Sequence, residues 1–210
     1  MSVLELLRSD EADGVLSIIE YSDADVLTDD FELDKLINYH IKEPDAEWLS
    51  GLFWFGEKTE DYKPLEPAFI DLLLKADLAM LVNLRGIFFA SCEEDIAPIC
   101  EKMQTDEFDW PSKIDFDDKD VIGCYWHSQS AVIISTAAID QYLNEEAALY
   151  EDCYYDFEEE RWIAAATTLL HEIRHLGLSN PYLDERKYPS WLESEENVEG
   201  WALATFEAYS

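Results

Sequence analysis

Positive charge is scarce in this chain. Its 210 residues hold 14 Lys or Arg against 48 Asp or Glu, a formal net charge of −34. Such a field repels nucleic-acid phosphate and anionic lipid, and so excludes binding to either through a generic surface patch. Solubility, adaptation to high salt and recognition of a basic partner all stay open as reasons for the acidity. No stretch reaches the length of a membrane span. The opening MSVLELLRSDEADGVLSIIE also lacks the basic start and apolar run of a secretory signal. Cysteine is sparse too: Cys92, Cys100, Cys124 and Cys153 form no CxxC or CxxH clip, the pattern of reduced core residues rather than disulfides or ligands. These absences point to a cytoplasmic protein with no nucleic-acid or membrane partner, and leave its oligomeric state open. The acid pairs Asp23/Asp25 and Asp115/Asp117 do not start EF-hand loops, since no Gly follows at the sixth position and no Glu at the twelfth. They read as solvated surface.

What is present suffices for a packed core. The chain is 48% hydrophobic and 13% aromatic, and its length fits one sizeable domain or a compact domain with a smaller partner. Apolar positions recur at three and four in VLSIIEY, FELDKLINYHI, AEWLSGLFWF and AFIDLLLKADLAMLVNL, so residues 1–110 read as a mainly helical, acidic region of unknown role. The similar strings DADVL at Asp23, DAEWL at Asp45 and KADLAML at Lys75 are explained as well by helical packing as by a repeat. A boundary is expected near Gln104–Ser112, where TDEFDWPS breaks the periodicity. Residues 111–210 then read as a second domain. Val121–Trp126 and Ala131–Thr136 are β-branched and aromatic around a polar HSQS, a hairpin signal. Helices follow over Ala137–Leu149, over Phe157–Leu176 with Gly177 as its cap, and from Ser190 to about Tyr209, with Ser190 and Glu193 at capping-box spacing.

The string His171-Glu172-Ile173-Arg174-His175 carries the chemistry. Histidines four apart on a helix share a face, so both imidazoles can reach one metal ion. Glu172, about a quarter turn away, suits a proton acceptor beside the metal. At about 100° per residue, Trp162, Ala166, Leu169, Leu170, Ile173 and Leu176 fall opposite the histidines as a core face. Ala164 and Thr168 precede them on the metal face, and Arg174 stands at the flank. A zinc site in an enzyme takes three protein ligands and keeps one position open. The last helix can supply the third. Trp191, Leu192, Glu195, Val198, Glu199, Ala202, Leu203 and Phe206 share a stripe that is apolar except for its two carboxylates. Carboxylates on a buried apolar stripe are costly unless paired or bound to metal. This selects Glu195 over Glu196 as ligand, and makes Glu199 the acceptor for the spare nitrogen of a ligand histidine.

HEIRH followed by ESEENVEGWA resembles the gluzincin metallopeptidases, whose HExxH is followed by a downstream Glu and, four places later, another acid. The likeness extends over about 121–209 to the minigluzincins and the ImmA/IrrE-like proteases. It implies an α+β, zincin-like catalytic domain that holds Zn2+ through His171, His175 and Glu195. In that family's manner Glu172 would act as general base in hydrolysis of a peptide or protein substrate, with basic substrates favoured by the acidic field. Substrate would lie along an edge strand of the hairpin, touching Ile133. Tyr182, Tyr188 and His127 are the candidates for an oxyanion donor, Tyr188 first among them. Two departures stand out: Val198 replaces the commoner Ala, and Arg174 intervenes before the second His. From its flank Arg174 could meet a substrate carboxylate or the acidic run Glu158–Glu160. Two other readings remain: a zinc-stabilised but catalytically silent acidic interaction or inhibitor protein, and a protease regulated by its N-terminal region.

Overall fold

The computed structural model describes residues 45–76, 81, 84–116, 120–149, 155–179 and 190–209. Expectations before residue 45, and those on Asp117, Cys153, Tyr182 and Tyr188, lie outside the described residues.

Short runs of β-branched and aromatic residues build one sheet from Phe53–Phe55 (β1), Gly86–Ala90 (β2), Gly123–Trp126 (β3) and Ala131–Ser135 (β4), in the order β1-β2-β4-β3. β2 runs parallel to both β1 and β4, while β3 is antiparallel to β4. The expected hairpin is therefore present. His127–Gln129 form its turn, and Ser130 closes it in the left-handed region at φ 52°. Six helices accompany the strands among the described residues: Ala46–Ser50 (α1), Glu66–Lys75 (α2), Ile96–Met103 (α3), Thr136–Leu149 (α4), Phe157–Leu178 (α5) and Glu195–Tyr209 (α6). The protein is thus of mixed α and β structure. No described helix is long and apolar enough to cross a membrane.

Side chains alternate strictly between the two faces of the sheet, as the two-residue period of a strand requires. Phe53, Ile87, Phe89, Val132, Ile134 and Tyr125 join one cluster, with residues of α2, α4, α5 and α6. Phe88, Ala90, Ala131, Ile133, Cys124 and Trp126 join the other, with Ile99, Cys100 and Met103 of α3 and with Ile114. With both faces covered, β2 and β4 are buried at every position.

Two strands, β1 and β2, lie among the helices of the region before residue 110 that was expected to be mainly helical, and the double burial of β2 hid it there. Buried strands such as GIFFA lack apolar–polar alternation and resemble buried helix in sequence. The string AEWLSGLFWF, expected to be helical, ends α1 at Ser50 and supplies β1. The boundary expected at 104–112 also divides a single sheet, because β2 pairs with β4 from Gly86↔Ala131 to Ala90↔Ser135. Ile133 is corrected as well. Its strand is flanked by β2 and β3 and its side chain is fully buried in the second cluster, so it is not an edge residue. Among the described strands the edge of the hairpin is β3.

The longest described helix, α5, starts where Asp156 accepts hydrogen bonds from the backbone amides of Glu158 and Glu159 at 3.1 and 3.2 Å. Glu158–Glu160 belong to its first turn, where acids favour the helix dipole, and not to a loop. Gly177 continues the helix, and Ser179 caps it, donating its hydroxyl to the His175 carbonyl at 2.8 Å. The back of α5 is the expected one: Ala166, Leu169, Leu170 and Ile173 are fully buried. Burial of each large side chain is worth about 1.5–3 kcal/mol, so the helix cannot roll without losing several such contributions. Ser190–Glu193 form a 3-10 turn, and α6 starts later than the capping-box spacing suggests, at Glu195. Phe69, Trp162, Phe206 and Tyr209 form an aromatic chain, with centroid separations of 5.2, 5.9 and 6.1 Å around Trp162. That chain packs the C-terminal part of α6 against the N-terminal part of α5, and so brings the start of α6 to the histidines.

Candidate metal centre

Helical spacing alone places His171 and His175 one turn apart on α5. Their Nε2 atoms lie 3.1 Å from each other. Oε2 of Glu195, arriving from α6, lies 3.2 Å from the first and 3.3 Å from the second. Among the described residues this is the one group of three such side chains with ligand atoms close enough to hold a metal ion. The triangle suits zinc. Ligands at 2.0–2.1 Å in tetrahedral arrangement stand about 3.3 Å apart, close to all three observed edges. It suits a hydrogen-bonded cluster poorly, because two imidazole N–H groups aimed at one carboxylate oxygen would also face each other.

The electrostatics agree with that geometry. Burial, followed by the neighbouring His175, pushes the His171 imidazole below its usual pKa, which favours the neutral form that binds metal. Burial by itself would raise the Glu195 carboxyl, but hydrogen bonding to His175 and the charges of both histidines outweigh it and hold it low.

Glu195 is ligand-placed for a reason other than the one its sequence position suggested. Its side chain is 81% exposed. The buried stripe of α6 is carried by Val198 and Ala202, with Leu192, Trp201 and Phe206 partly buried beside them. Glu195 and Glu199 stand beside this stripe and face an open cleft. Glu199 lines that cleft and acts on His171 through its charge. Among the described residues no hydrogen bond joins it to either imidazole.

Glu172 is only 8% exposed. Burial pushes its carboxyl up to about 7, against the opposing hydrogen bond from the Tyr125 backbone and the charge of Lys113. Its nearest wall is β3. A Cβ built on Gly123 would lie 2.6 Å from Thr168 Cγ2 and 3.0 Å from Glu172 Cγ, so only glycine lets the strand approach this closely. Two residues on, the ring of Tyr125 stacks on His175 with centroids 5.2 Å apart. Sequence reasoning missed both residues. A glycine inside a strand signature was a usable sign of close backbone approach; nothing in the sequence marked Tyr125 or Lys113.

The cleft encloses about 760 Å³ between β3, α5 and α6. Its lining includes Gly123, Tyr125, Thr168, Glu172 and Leu203 besides the three candidate ligands. Arg174 does not line it. That side chain is 6% exposed and its guanidinium lies 4.8 Å from the centre of the Trp201 ring, which makes it a packing element between α5 and α6 rather than a substrate contact. His127 is exposed in the hairpin turn and is not part of the lining either. No family model matches this chain, and neither a curated protein nor a solved structure matches it.

Proposed function

We propose that this chain is a zinc-dependent peptidase in which His171, His175 and Glu195 hold the metal and Glu172 is the general base. One observation carries the reading: a ligand triangle with edges of 3.1–3.3 Å opens on the same cleft as a buried carboxylate one residue from a ligand. Zinc bound there would supply Lewis acidity toward a carbonyl oxygen and toward water.

The remaining work falls to this chain's own side chains and backbone. Glu172 accepts a proton from water on one side of the scissile bond and returns it to the leaving amine. Its enclosure under Gly123 holds the carboxylate in one place, and its partial desolvation makes it a stronger base than an exposed carboxylate. Tyr125 orients this base through its amide and braces His175 through its ring. Among the described residues β3 is the outermost strand at this side of the sheet and lines the cleft, where an extended peptide can add as a further strand. A peptide or protein substrate and a gluzincin-like, zincin-type architecture belong to this proposal. So does a reducing, cytoplasmic setting, supported by the free Cys92, Cys100 and Cys124.

The test compares wild-type protein with Glu172→Gln after zinc reconstitution. Elemental analysis should find about one zinc per chain in both, and only the wild type should cleave a quenched-fluorescence peptide library. A chain that takes up no zinc overturns the metal assignment. Zinc retained by both, with cleavage by neither, leaves the catalytically silent acidic protein as the better reading.

A further inference from the structure

We propose that Lys113 recognises a carboxylate group on the substrate, which makes it a specificity-determining residue of this cleft. The inference rests on the peptidase reading for the word substrate, but its geometry stands apart from the metal ligands. In a chain with 48 Asp or Glu, Lys113 is the one Lys or Arg among the described residues lining the cleft, which Asp120, Glu172, Glu195 and Glu199 also line. No salt bridge joins it to a described carboxylate. Three other described cations are engaged away from the cleft: Arg161 with Asp140 and Asp61, Arg174 over Trp201, and Lys75 over Tyr209. The ammonium of Lys113 instead stands 5.8 Å from the centre of the Tyr125 ring, whose stacking partner is His175.

Its position is built rather than incidental. Lys113 sits in a turn closed by the Ile114 amide donating to the Pro111 carbonyl at 3.0 Å. Ile114 is buried in the second cluster, and the Trp110 indole donates to its carbonyl at 3.4 Å while packing edge-on to Trp126 at 5.7 Å. Both neighbours of the turn are thus anchored below the sheet, which leaves the Lys113 side chain to reach over β3 into the cleft. The charge of Lys113 is felt at both Glu172 and Cys124, so a group bound to it lies within electrostatic range of the proposed base. Apart from the metal centre and its histidines, the charged side chains of the lining are the carboxylates Asp120, Glu172, Glu195 and Glu199, so a substrate carboxylate gains an opposite charge there from Lys113.

The carboxylate has two possible sources, a peptide's own C-terminus or an internal acidic side chain. The full-length, zinc-loaded Glu172→Gln protein separates them by fluorescence anisotropy with a fluorescein-labelled alanine hexapeptide carrying one leucine. Three forms are compared: free C-terminal acid, C-terminal amide, and amide with one internal glutamate. One acidic form should bind about five- to tenfold more tightly than the neutral amide, the scale of a charge-assisted contact in a partly wet site. Lys113→Ala, an exposed substitution, should bring that ratio close to one, and Lys113→Arg should retain it. A preference for acid that survives Lys113→Ala, or no preference for either acidic form, overturns the proposal. Parallel turnover measurements on the wild type keep the two ideas distinct. Lysine-dependent carboxylate binding without any cleavage sustains the role of Lys113 and removes the peptidase reading.

Discussion

Gly123 of the edge strand lies so close to Glu172 that a single added methyl group would come within 3.0 Å of its Cγ and 3.2 Å of its Oε1. The proposed base is therefore held by backbone on one side and by its own helix on the other, and it has little room to swing away from the metal centre.

Substitution Gly123→Ala should reduce stability by about 1–3 kcal/mol and abolish peptide cleavage while leaving zinc stoichiometry unchanged. Because the sharpest contact is 2.6 Å to Thr168 Cγ2, adding Thr168→Ser should recover part of the lost stability. Thermal unfolding of the single and double variants, with zinc content measured on the same samples, reports both effects. Full activity in Gly123→Ala would show that the strand is free to shift.

The buried carboxyl of Glu172 makes the zinc-free protein sensitive to pH. Its folded pKa of about 7 lies above the ordinary 4.5, so the folded state binds the proton more tightly than the unfolded chain. Its stabilising share is whole below about pH 4.5 and is lost as pH rises through 7, to an extent on the order of 3 kcal/mol. Chelated Glu172→Gln has no such titration and should outlast chelated wild type at pH 8, with the gap closing toward pH 5. Urea unfolding at the two pH values checks this, and an equal gap at both would contradict it.

Exposed as it is, Glu195 should still dominate zinc affinity over its neighbour. Glu195→Ala should weaken zinc binding by more than about a hundredfold, a loss beyond that of an outer supporting residue, while Glu196→Ala should change it little. Competition with a calibrated chelator measures both, and similar losses in the two variants would remove Glu195 from the ligand set.

Away from the cleft, Tyr62 donates its hydroxyl to Asp140 Oδ1 at 2.8 Å, and Arg161 reaches the same oxygen at 3.3 Å. This joins the segment before α2 to α4 and α5. Tyr62→Phe should cost about 1–2 kcal/mol, and a double-mutant cycle with Asp140→Asn should return a coupling near 1 kcal/mol. Additive single effects would mean that the hydroxyl contributes by packing alone.

How much of this was legible depends on how local each feature is. The spacing of His171 and His175 needed only the period of a helix, and the apolar back of α5 at Leu169, Leu170 and Ile173 followed from the same period. The hairpin of β3 and β4 could be read because its turn is polar and its strands are β-branched. By contrast β2 was hidden, since GIFFA is buried on both faces and loses its alternation. Ile133 was assigned to an edge because nothing in the sequence says that β2 crosses the chain to pair with its strand.

Glu195 shows both sides at once. Its choice over Glu196 rested on an apolar stripe that would bury it, yet it stands open to solvent and meets the histidines because the Trp162 aromatic cluster docks α6 antiparallel to α5. By itself the sequence determined the pair of histidines, the intervening acid and the helix that carries them, because all depend on contacts within two turns. Only the tertiary structure decided that Glu195 reaches the histidines from an exposed position, that Gly123 and Tyr125 confine Glu172, and that Lys113 overlooks the cleft. Those placements come from packing between segments distant in sequence, where no local period constrains what will meet.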